Sequence, residues 1–132
     1  MRLTSTRGRI TISLCAIRMG RDWTVAITGG DQPHLGAAAL GIPRPSLSDP
    51  HKRSASVSVL TVTGHKEDEL ARRAAYDLAS LLDGVVLVSC GIHVHRVTAS
   101  ELQEVQNIVG ELTAEAAAQM MAEQRSSLHE RE

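Results

Sequence analysis

The alternation of polar and apolar positions changes period several times along the chain, and each change marks an element. Ile10, Ile12 and Leu14 alternate with Arg9, Thr11 and Ser13, the period-two pattern of a half-buried strand that can continue to about Arg18. Gly20-Arg21-Asp22 reads as a tight turn, after which Trp23, Val25 and Ile27 alternate with Thr24 and Ala26. Together these predict a β-hairpin. Thr28-Gly29-Gly30-Asp31-Gln32-Pro33 is punctuation, because adjacent glycines permit positive φ and Pro33 stiffens the exit. Leu35 to Leu40 is Ala-rich, but Gly36 and Gly41 argue against a long helix, so a short strand returning beside the hairpin is the expectation. Residues 41–54 hold Pro43, Pro45 and Pro50 and predict a loop of the length that is usually functional or mobile.

Ala55 to Thr63 is β-branched and alternating, which predicts another strand. At Gly64 the period changes: Leu70, Ala74, Leu78 and Leu81/Leu82 recur at helical spacing, with Arg72, Arg73 and Asp77 facing away. Glu67, Asp68 and Glu69 fall in the first turn, where the helix dipole favours carboxylates. This predicts a helix from about Lys66 to Leu82, ended by Asp83-Gly84. Val85 to Val94 reads as a central strand, apolar on both faces at its start and therefore covered on each side. Thr98-Ala99-Ser100-Glu101 has the spacing of a capping box, and Leu102, Val105, Ile108/Val109, Leu112 and Ala116 continue as a helix that Gly110 could interrupt. From about Gln124 the tail is polar and expected to fray.

The resulting order, β-β-β-β-α-β-α, predicts one α+β domain over residues 1–132, with an ordered core at about 8–122. Its mixed, largely antiparallel sheet has about five strands, with two helices on one face. An apolar opposite face would need a partner, and a homodimer is the simplest solution.

Composition narrows the function classes. The chain has 132 residues, 42% hydrophobic and 22% charged, as an ordinary globular protein does. Trp23 and Tyr76 are its only aromatics, so the core is aliphatic and a planar ligand would rest on aliphatic or backbone surface. With 14 basic and 15 acidic residues, no basic stripe and few stacking rings, nucleic acid is not an expected partner. Cys15 and Cys90 lie in apolar strand-like segments and read as buried free thiols, which suits a reducing cytoplasm. No apolar leader is evident at the N-terminus, and no run of about 18 apolar residues occurs, so no membrane association is expected.

The candidate chemistry rests on histidines. On a strand, His93 and His95 would share a face about 7 Å apart. His34 and His65 each follow a glycine-bearing turn, the kind of place where sites gather. Imidazole with carboxylate suits Zn, Fe, Mn or Ni. Gly29-Gly30-Asp31 could present N–H groups to an anion or be a plain turn. Gly64-His65-Lys66-Glu67 could do the same at a helix start, or its carboxylates could simply cap the dipole. Ser89, Cys90 and His93 are too close along one strand to form a nucleophilic triad.

Taken together, Gly29-Gly30-Asp31-Gln32-Pro33-His34-Leu35-Gly36, Gly64-His65-Lys66-Glu67-Asp68-Glu69 and Gly91-Ile92-His93-Val94 resemble a known family over about residues 8–112. It is the small D subunit of UbiD-type non-oxidative decarboxylase systems, such as gallate decarboxylase. The resemblance implies a non-catalytic chaperone that carries or matures prenylated FMN (or FMN) between a flavin prenyltransferase and a UbiD-type decarboxylase. It also implies a dimerising fold similar to proteasome-assembly chaperones. Carried over by position, the cofactor-binding candidates are Gly29, Gly30, Asp31, His34, His65, Lys66 and His93, with Pro33 and Glu67 in the same motifs. His34, His65 and His93 are the candidate ligands of a divalent or ferric ion. Two alternatives stand beside this reading: a small metal-dependent enzyme using the same three histidines, and a pure assembly chaperone in which they have no role.

Overall fold

The computed structural model describes residues 1–62, 64 and 67–132. The elements run β1 (Arg2–Arg7), β2 (Ile10–Met19), β3 (Asp22–Gly30), β4 (Ala37–Pro45), β5 (Arg53–Thr61), α1 (Asp68–Leu82), β6 (Val86–His93) and α2 (Ala99–His129). They form one six-stranded sheet in the order β1-β2-β3-β6-β4-β5. All neighbours are antiparallel except β3 and β6, which run parallel from Trp23↔Val86 to Gly30↔His93.

The architecture is the expected α+β, with two differences in the sheet. The sixth strand is β1, whose Arg, Thr and Ser residues hide its period. Its pairing with β2 is reinforced by hydroxyl contacts, Thr4 to Ser13 at 3.0 Å and Thr6 to Thr11 at 2.9 Å. The second difference is that β4 does not return beside the hairpin. β6 is inserted between β3 and β4, and β5-α1-β6 forms a crossover past β4. Pro43 and Pro45, expected in a loop, lie inside β4 beyond Gly41, where its pairing with β6 stops and only β5 remains alongside. A strand with one free side tolerates proline.

One face of the sheet carries Ile12, Leu14, Val25, Ile27, Val86, Val88 and Cys90, and both helices pack on it. Leu78 of α1 and Ile108, Leu112 and Met120 of α2 close this core. α1 stops at Asp83, which adopts the left-handed conformation at φ 52°. Thr98 and Glu101 form both bonds of the capping box, and α2 runs through Gly110 without a break. The tail expected to fray is helical to His129, with Arg18 donating to Ser127 Oγ at 2.7 Å.

Among the described residues, no helix lies over the other face. Alternation places Ala26 on β3, Leu87 and Ser89 on β6, Ala38, Leu40 and Ile42 on β4 and Leu60 on β5 there. Ile17, Leu40, Ile42, Leu60 and Leu87 are exposed. β6 is thus central in strand order but has helices on one side only.

Candidate functional site

The candidate site forms where the parallel strands β3 and β6 both end, a place where loops leave the sheet together. Gly30, at φ 78°, ends β3, and any Cβ there would strike the backbone of His93. The next residue, Asp31, donates its N–H to His93 O at 2.7 Å. The chain then crosses β6. A side chain on Gly91 would collide with the carbonyl of His34, so glycine at 91 is what allows residues 34 and 35 to lie against the strand. Gly36 completes the crossing, its N–H donating to Cys90 O at 2.9 Å.

This crossing brings two of the sequence-singled histidines together. The rings of His34 and His93 lie 6.4 Å apart, edge to face at 71°. His34 Nδ1 is 3.1 Å from Gln32 O, and Nε2 is 2.8 Å from Glu67 Oε1. Glu67 precedes α1 and is itself buried, and it also accepts from the N–H of Ile92 at 3.4 Å. His65 and Lys66 lie outside the described residues.

The remaining candidates have other positions. β6 ends at His93, so His95 is not on the strand and does not share its face, as strand geometry had suggested. It lies in a turn with Arg96 at φ 49°. The carboxylate of Asp31 holds that turn, accepting from His95 N–H at 2.7 Å, with Arg9 3.7 Å away. Arg9 also grips Glu101 through two bonds, at 2.7 and 3.0 Å, and donates to His95 O at 2.7 Å. This holds the carboxyl of Glu101 down at about 2, chiefly through the Arg9 bond and next through the N–H of Thr98. Nothing local in the sequence ties Arg9 to residues 31, 95 and 101; only the alignment of strand ends does.

Cys90 lies beneath the site with 1% of its surface exposed, and its thiol is pushed up to about 12, by burial first and then by the charge of Glu67. A thiol so protonated and enclosed is no nucleophile. Metal binding by the histidines is not shown: both ring nitrogens of His34 face oxygen atoms, and among the described residues, which do not include His65, no group of three or more His, Cys, Asp or Glu could hold an ion.

The arrangement of sheet and helices is similar to that of a proteasome assembly chaperone. A crystal structure of a chaperone complex for yeast 20S proteasome assembly matches with a TM-score of 0.55 at 12% identity, covering 91% of this chain and 98% of that one. No curated protein matches. The family is given by sequence: residues 6–121 match the model of the prenylated flavin chaperone LpdD-like domain, and the chain belongs to that family.

Proposed function

We propose that this protein is a non-catalytic carrier of prenylated FMN, loading or maturing the cofactor for a UbiD-type decarboxylase. The observation that carries the reading is the meeting of His34 and His93 across Gly91, in a chain of the prenylated flavin chaperone family. His93 stands at the end of the open sheet face, which carries Ala26, Ala38, Leu40 and Leu87 with Ser89 among them. Such a surface suits the ring system of a flavin in a protein whose Trp23 is locked in the core. Aliphatic contact without ring stacking makes for release as well as capture, which a carrier needs. Gly29, Gly30 and Asp31 shape the floor of this place and His34 and His93 face the cargo; His65 and Lys66, from the same family motif, are the further candidates by sequence, Lys66 as a cation for the phosphate. The flavin prenyltransferase is the upstream partner. A second copy of the chain covers the rest of the open face, and the cytoplasm, where UbiD-type partners and free thiols coexist, is the compartment.

Co-expression with a flavin prenyltransferase, followed by mass spectrometry of the purified protein, tests the proposal. Retained prenylated FMN in the parent, lost in His34→Ala and His93→Ala, is the expected result; a protein that emerges without flavin refutes it. Metal analysis of the same samples checks the ion: one equivalent that disappears with His93→Ala would place a metal at the site.

A further inference from the structure

We propose that Glu67 is the positioning residue of this site, its buried carboxylate fixing the orientation in which the His34 imidazole meets the cargo. The proposal rests on the flavin-carrier reading and adds to it a residue that no ligand touches. Glu67 stands at the N-cap of α1, where an acidic side chain ordinarily turns back to bond the first helical N–H groups. Here it makes no such bond. The carboxylate points inward and only 7% of the residue is exposed. A buried carboxylate is costly unless it is engaged on several sides. Its described neighbours are His34 Nε2 at 2.8 Å and the N–H of Ile92 at 3.4 Å. Gly36 makes room for it, since a Cβ on Gly36 would overlap the carboxylate oxygens.

The site is therefore layered. His34 is partly exposed and can reach a ligand, whereas Glu67 is behind it and acts only through it. One carboxylate also ties three separate segments into one unit: the crossing chain at 34–36, the end of β6 at Ile92, and the start of α1. A role limited to stabilising the sheet end would leave ligand affinity untouched, and this is the distinction to be tested.

FMN binding by fluorescence quenching, measured well below the melting temperature, makes the test. Glu67→Ala is expected to weaken binding roughly tenfold or more, the worth of a charge-assisted hydrogen bond, and His34→Ala by a similar factor, with little further loss in the double variant. Glu67→Gln keeps an acceptor for Ile92 and hence the fold, while weakening the hold on His34. Gly36→Ala keeps the charge but displaces it, so it should lower affinity when Glu67 is present and have no effect in the Glu67→Ala background, where the space is vacant. This pair of results also serves should Glu67→Ala fail to fold. A lower melting temperature with unchanged FMN affinity in Glu67→Ala and Gly36→Ala overturns the proposal. Should the parent bind no flavin, the carrier reading fails by itself. The His34 ring nitrogen signals in NMR then decide the positioning: a shift on Glu67→Gln upholds it, and no shift refutes it.

Discussion

Gly91 contributes no side chain, and the space it leaves is filled by the main chain of residue 34. Replacing it with alanine drives a methyl group into a carbonyl, and backbone on both sides limits the escape. We expect Gly91→Ala to cost at least about 3 kcal/mol, at the upper end of overpacking effects, measured by urea unfolding, and to abolish flavin retention even where the protein folds. Asp31 works differently. Its carboxylate closes the 93–96 turn at an exposed position, so Asp31→Ala should destabilise by about 0.5–1.5 kcal/mol, the net worth of a typical hydrogen bond. A lowered melting temperature with flavin affinity nearly intact would place Asp31 in the scaffold; a large loss of affinity with unchanged stability would place it on the ligand.

The elements differ in how far local pattern defines them. The hairpin β2–β3, helix α1 and the start of α2 are legible in the sequence because alternation, helical spacing and the Thr98–Glu101 box are all short-range signals. β1 was not legible, since polar residues on both faces of an edge strand give no hydrophobic period. The insertion of β6 beside β3 was hidden for another reason: it depends on pairing between residues far apart in the chain. The same limit applies to the site. Histidines after glycine turns could be singled out, but the inward turn of Glu67 and the reach of Arg9 could not. The capping box offers a direct check. Thr98→Ala should cost about 1 kcal/mol, read as a shift in the unfolding midpoint at constant slope. The depressed carboxyl of Glu101 gives a pH signature. Its folded value, about 2, lies below the ordinary 4.5, so its stabilising contribution is fully present above pH 4.5 and drains as the pH falls through about 2. An acid titration of stability should lose that part of its slope in Glu101→Gln.

At the scale of the whole molecule, the sheet has a helical side and a bare one. Leu60, 78% exposed on β5, and Leu87 on β6 both belong to the bare side. We expect Leu60→Asp combined with Leu87→Asp to convert a dimer to a monomer in light scattering, with the circular dichroism spectrum unchanged. A parent that is already monomeric, or a variant whose mass does not change, would show that a second copy does not cover this face. The strand order carries one last implication, for synthesis. As the chain leaves the ribosome, β1 to β3 can form one ribbon and β4 with β5 another, each joined by near neighbours, while nothing yet connects them. The bridge is β6, which emerges after α1 and seats itself against both ribbons at once. A nascent chain shorter than about residue 93 therefore has two unjoined ribbons and lacks the junction where His34 meets His93. The wedge strand makes assembly of the sheet and of that junction a single event.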